Sequence, residues 1–99
     1  MNRQRRSNEE KLVLRLYMAG DAPHSTEARA NLKAILKTYA PLNNWQLEVV
    51  DVLETPLRAL EDSIFVTPTL IKLSPPPTRI IGSLSERENV ARLLGLEDT

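Results

Sequence analysis

The stretch Phe65-Val66-Thr67-Pro68-Thr69-Leu70-Ile71-Lys72-Leu73 decides how this chain folds. Pro68 stands at the mouth of an apolar run that reads as a strand over 69–73. Proline has no N–H to give to a ladder, so it belongs at the first residue of a strand, at an edge or at a bulge. An X-Pro bond also accepts the cis form at a cost of only about 0.5–1 kcal/mol, which makes Pro68 a candidate cis proline. An ordinary strand start is the plainer reading of the same residues. The order of the flanking elements decides between them.

Upstream, Leu12-Val13-Leu14-Arg15-Leu16-Tyr17-Met18 is apolar on nearly both faces of an extended segment, the pattern of a strand in the middle of a sheet. A turn follows at Ala19–Ser25, in which Pro23 suits a first helical turn and Asp21 or Ser25 could cap it. Ala28, Leu32, Ile35, Leu36 and Tyr39 then share one face of a helix that Pro41 ends. Gly20 beside a helix start is a weak anion-site signal, since no Gly-rich pattern or lysine accompanies it. Trp45–Val52 is a second strand, only partly covered because it carries Gln46 and Glu48. With a helix between them, these two strands form a right-handed parallel βαβ unit.

Thr55-Pro56 opens a short helix over 56–62, with Leu57 and Leu60 on one side and Arg58 where a capping box needs Glu or Gln. Beyond the 69–73 strand, Ser74-Pro75-Pro76-Pro77 is a stiff bend, and Thr78-Arg79-Ile80-Ile81 returns as the partner strand of an antiparallel hairpin. Gly82 breaks that strand. Ser85-Glu86-Arg87-Glu88 has the form of a capping box and predicts a last helix bearing Val90, Leu93 and Leu94. Residues 1–10 read as a flexible polar tail, and 11–99 as a single domain.

Composition removes several kinds of chemistry. Thirteen basic and thirteen acidic side chains leave no net charge, which gives no electrostatic footing for nucleic acid or an anionic membrane. The absence of cysteine excludes disulfides, zinc-thiolate sites, a Cys nucleophile and a dithiol redox cycle within the chain. His24, the single histidine, offers no cluster for a metal. No run is long enough to span a membrane and the polar start is no signal peptide, so a cytoplasmic location is expected.

The order β-α-β then α-β-β-α, with Pro68 ahead of the third strand, resembles the thioredoxin fold. There the matching proline is cis, and a dithiol lies between the first strand and first helix. Here that position reads Gly20-Asp21-Ala22-Pro23-His24, without sulfur, which points to a binding module. The wording is more specific than the fold. Leu16-Tyr17-Met18-Ala19-Gly20, Val50-Asp51-Val52-Leu53, Ala59-Leu60-Glu61-Asp62, Thr67-Pro68-Thr69-Leu70, Pro75-Pro76-Pro77 and Ile80–Glu88 occur in order over 12–90, and together they closely resemble the KaiB family of bacterial circadian clocks.

That resemblance implies a protein that is not an enzyme and needs no cofactor. It implies binding to the ATPase ring of a KaiC hexamer, competition there with a thioredoxin-like clock histidine kinase, and capture of KaiA. It implies two folds: a thioredoxin-like βαβ-αββα monomer that binds partners, and a resting homo-oligomer, typically a tetramer, built as βαβ-βααβ. Periodicity cannot rank two packings separated by a few kcal/mol. If about 1% of molecules held the competent fold, apparent affinity would fall about a hundredfold, which turns a rare fold into a delay. Lys72, Arg79 and Arg87 match basic positions of the family's partner surface, against the plainer reading of solvated charges. Pro68, Pro75, Pro76, Pro77 and Gly82 are assigned to the switch, since X-Pro bonds isomerise over tens of seconds.

Departures from the family pattern are Ser83 where Asp is usual, Glu27 where a base is frequent, one residue fewer between Arg79 and Ile80, and no longer acidic tail after Glu97-Asp98-Thr99. They leave open a three-component clock or a KaiA-less timer or stress system. Two other classes compete: a stand-alone thioredoxin-like sensory module of a histidine-kinase pathway, and a glutathione-binding enzyme using Ser25 or Tyr17.

Overall fold

In a computed structural model, residues 11–40 and 44–96 are described. Four strands form one sheet in the order β2-β1-β3-β4, with β1 at Leu12–Met18, β2 at Trp45–Asp51, β3 at Thr69–Lys72 and β4 at Thr78–Ile81. β1 runs parallel to β2 and antiparallel to β3, and β3 is antiparallel to β4. The helices are α1 at Pro23–Tyr39, α2 at Pro56–Glu61 and α3 at Arg87–Leu93. This is the expected β-α-β, α-β-β-α order, with the doubly apolar first strand in the interior of the sheet. The 1–10 tail and Pro41 lie outside the described residues.

Alternation along β1 divides the core between two faces. Leu12, Leu14, Leu16 and Met18 point to the α1 and α3 side, where they meet Ala28, Leu32, Ile35, Leu36, Val90, Ala91 and Leu94. Tyr17 points to the other side and packs with Val50, Ala59, Ile64 and Ile71 beneath α2. β3, also interior, buries all four of its residues. β2 is an edge strand, and it buries only Val50.

Helix starts depart from expectation in a consistent way. Neither Asp21 nor Ser25 caps α1: Ala22 is the N-cap, and no side chain bonds there. Ser25 instead lies inside the first turn, buried, and its Oγ accepts the Ala19 N–H at 3.1 Å. Thr55 does precede α2, but its hydroxyl donates to the Asp51 carbonyl at 3.2 Å and caps nothing. The Ser85 capping box does not form either, since α3 starts at Arg87 with Glu86 as an N-cap that makes no side-chain bond. The chain enters α3 through Leu84, which has φ of 64° and packs its side chain into the core just ahead of Ser85.

The α2 leucines are a further difference. Ala59 faces the sheet, and Leu57 and Leu60 are 71% and 65% exposed. Tyr17 accounts for this. Its hydroxyl donates to the Asp62 carboxylate and lies 3.2 Å from the Arg58 carbonyl, which brings α2 close and leaves room beneath it for a small side chain only. Leu93 likewise turns outward on α3.

A polar lattice ties α2 to the sheet. Arg15 bonds Glu48 across the β1–β2 register at 2.9 Å and Asp62 at 2.9 Å, and Arg58 reaches Glu48 at 2.5 and 3.0 Å. Arg58 first and Arg15 second pull the Glu48 carboxyl down to about 2. Asp62 is lowered too, chiefly by the Tyr17 hydroxyl, and burial followed by Asp62 raises Tyr17.

Two outcomes follow from this packing. Leu16→Ala, at a fully buried position, should lower unfolding free energy by about 2–5 kcal/mol in urea titration, whereas loss under about 1 kcal/mol would show the site to be loosely packed. For Glu48, the folded-state value lies below the unfolded one, so the unfolded chain takes up protons first as pH falls and stability rises with pH. The contribution is present above the ordinary glutamate value of 4.5 and lost as pH falls towards about 2. With Glu48 47% exposed, solvent screening holds it to about 1 kcal/mol or less. Glu48→Gln should cost about that much at neutral pH and flatten the acid-side decline in melting temperature followed by circular dichroism. An unchanged slope would contradict it.

Candidate docking face

Parallel pairing of β1 with β2, and antiparallel pairing of β3 and β4, gather four connections at one end of the sheet. These are the β1–α1 turn, the β2–α2 turn, the segment before β3 and the segment after β4. The Asp51 carboxylate joins the first two, with its Oδ1 accepting the Gly20 N–H at 3.0 Å and the Leu53 N–H at 2.9 Å. Gly20 has φ of 52°, and a side chain there would press on Leu53 Cδ1 at 3.2 Å. The other two are joined by the Gly82 N–H, which donates to the Pro68 carbonyl at 3.0 Å. Pro68 is buried at the base of β3 and its peptide bond from Thr67 is cis, as is the Pro75–Pro76 bond. Thr69 closes the β3 approach by donating its hydroxyl to the Val66 carbonyl at 2.7 Å.

Around this backbone frame the apolar side chains face outward. Phe65 is 84% exposed and Leu53 70%, and Val66, Ile81 and the two α2 leucines are exposed as well. Phe65 and Val66 line a shallow hollow of about 190 Å³ together with Val52, Ala59, Ile64 and Thr67. One or two exposed apolar residues need no explanation, whereas six on and around these connections make this end a candidate interaction surface. The β1–α1 turn contributes no thiol, and His24 there is exposed. Among the described residues no group of His, Cys, Asp or Glu could hold a metal ion, and no helix is long and apolar enough to cross a membrane.

The three basic residues singled out in the sequence do not converge. Lys72 is buried at the far end of β3, where its Nζ donates to the carbonyls of Pro75 and Pro76 at 3.4 and 3.2 Å. Arg79, paired with Ile71 on β4, points to the opposite face and donates to the Ser63 and Asp62 carbonyls at 3.0 and 2.8 Å, closing the end of α2. Arg87 begins α3 and donates to Asn31 Oδ1 at 3.0 and 2.8 Å, and Asn31 in turn donates to the Ser83 carbonyl at 2.8 Å. Of the residues assigned to the switch, Pro75, Pro76 and Pro77 are exposed, and Gly82 has φ of 117°.

Sequence reasoning missed Leu53, Phe65 and Ile81 as a group, and the Arg15–Glu48–Arg58–Asp62 lattice. A signal existed for each. Phe65 is the single phenylalanine and stands outside any strand beside Pro68, and Arg15 interrupts an otherwise apolar strand.

A family model for the KaiB domain matches residues 15–96. The chain is 50% identical over 86 residues to the circadian clock oscillator protein KaiB of Synechococcus sp. (strain RCC307), spanning 86% of this chain and 76% of that protein. Against KaiB of Picosynechococcus sp. (strain ATCC 27264 / PCC 7002 / PR-6) the identity is 51%, over 86% of this chain and 80% of the other. The solution structure of the N-terminal domain of Synechococcus elongatus SasA superposes with a TM-score of 0.70 at 22% identity, covering 91% of this chain and 89% of that one. Fasciola hepatica thioredoxin does so at 0.66 and 18% identity, covering 93% and 89%. The last two share the thioredoxin-like fold. Matched over most of its length at half identity, the chain belongs to the KaiB family.

Proposed function

We propose that the chain is a non-enzymatic component of a circadian clock or related timer, acting in the cytoplasm by docking on the ATPase ring of a KaiC-type hexamer. The observation that carries this reading is the sulfur-free end of a thioredoxin-like sheet, ringed by exposed Leu53, Leu57, Leu60, Phe65, Val66 and Ile81. Its family membership supports a clock role, because the named relatives are clock oscillator proteins. In this reading Arg79 and Arg87 flank the apolar contact from β4 and α3. Lys72, buried at the far end of β3 against the Pro75 and Pro76 carbonyls, stands outside that contact in this reading.

The reading extends to slow exchange between this fold and a βαβ-βααβ resting oligomer, with α2 and the residues after it rebuilding. Two features support it. β3 and β4 are only four residues each, and none of the three helices has a side-chain N-cap bond. Local preference therefore holds the second half weakly in its present form.

Two measurements test the proposal. Leu57→Asp combined with Phe65→Asp should slow and weaken complex formation with a KaiC homologue in ATP by about tenfold or more, at unchanged melting temperature. Lys37→Asp, on the exposed side of α1, should leave it alone. Equal binding by the double variant and the parent chain would refute the docking face. Gly82→Ala imposes a side chain on a backbone with φ of 117°, which disfavours this fold by about 1–3 kcal/mol. Slower association at preserved helicity is expected, and an unaltered rate would speak against fold exchange as the gate.

A further inference from the structure

A second cavity lies at the other end of the sheet, away from the docking face. It encloses about 700 Å³, within the range of small-molecule sites. Its walls are apolar, formed by Leu12 on β1, by Leu94 and Leu96 after α3, and by the rings of Pro75 and Pro76. Among the described residues its polar groups are cationic or neutral donors, namely Lys72, Lys11 and Ser74, and none of those lining it is Asp or Glu.

Lys72 is the unusual member. Only 6% of it is exposed, and Nζ has two neutral carbonyls as acceptors, one at 3.4 Å. None of the ion pairs among the described residues involves it. Buried charges are normally paired, because desolvating an ammonium costs several kcal/mol that neutral acceptors offset only in part. Ser74 adds a second donor: its Oγ accepts the Val13 N–H at 3.1 Å, which leaves its own O–H free to give. Exposed Lys11 adds positive potential at the rim.

We propose that this cleft binds a small amphiphilic carboxylate, with the anionic head on Lys72 Nζ and the Ser74 hydroxyl and the hydrocarbon body along Leu12, Leu94 and Leu96. The head supplies the missing counter-charge, and the body covers the apolar walls. The site is independent of the docking face, and it can be filled or empty whatever partner that face engages.

Sodium decanoate and decan-1-ol, titrated separately into the full chain at monomeric concentrations, test this by NMR of backbone amides. Decanoate should saturate, with shifts confined to residues 12–13, 72–74 and 94–96, and should bind at least about tenfold more tightly than decanol, the worth of one charge-assisted hydrogen bond. Lys72→Met keeps the length of the side chain and should abolish that preference. Leu96→Glu keeps Lys72 but places a competing carboxylate on the wall, and should block decanoate even if Lys72→Met fails to fold. Equal affinity for the two ligands, a preference that survives in Lys72→Met, or an absence of saturable shifts would overturn the proposal. So would decanoate binding seen only after removal of residues 97–99, which would make Glu97 and Asp98 the occupants.

Discussion

The structure depends on β1 being hydrogen-bonded on both edges and covered on both faces. Leu14 stands between Leu47 of β2 and Lys72 of β3, and Leu16 between Val49 and Leu70. In the interior of a sheet every backbone N–H and C=O of such a strand must find a partner in the ladder. Two parallel strands need a long crossover, which α1 supplies, and the far edge must be reached by a chain running the other way. Pro68 can stand only where that returning strand begins, because further in it would deny the ladder a donor. The crowding of four connections at one end follows from this, and with it the apolar rim.

The two faces are covered unequally, and that inequality sets which apolar side chains stay in solvent. α1 and α3 close one face with leucine, isoleucine and valine. The opposite face has α2 alone, six residues long and anchored by charge as much as by burial. Arg15, Glu48, Arg58 and Asp62 hold α2 at a fixed distance from the sheet, and its leucines remain in solvent. A longer or more apolar α2 would bury those leucines and remove the rim. An electrostatic lattice at a half-exposed surface is a weak source of stability. As a spacer it sets which side chains remain available for contact.

Much of this was legible in the residues. The run 12–18 named the interior strand to the residue, because an apolar pattern on both faces has few other homes. Ala28, Leu32, Ile35 and Leu36 named the buried side of α1, because seventeen residues give periodicity room to be read. α2 was too short for that. Leu57 and Leu60 share a side, but nothing local says whether that side faces in, and a tyrosine on β1 decided it. The Ser85–Glu88 box matched a local rule, yet no side chain caps α3, and Leu84 packs into the core just ahead of Ser85. Lys72 looked like a surface charge because pattern alone does not show that β3 is interior and that a proline turn folds back over its end. The motifs of Val50–Leu53, Thr67–Leu70 and Ile80–Glu88 carried the family, and much of each lies in the connections and strand ends that meet at one end of the sheet.

Strand pairing in solution is the most direct test of the whole account. Two-dimensional and isotope-edited NMR of the chain under partner-binding conditions should give cross-strand contacts between Leu16 and Leu70, and between Leu70 and Ile80, as the antiparallel registers require. The amides of β1 and β3 should be the slowest to exchange with deuterium. A helical 69–72 segment, or a β1 whose second edge exchanges freely, would contradict the interior position of β1 and the docking face derived from it.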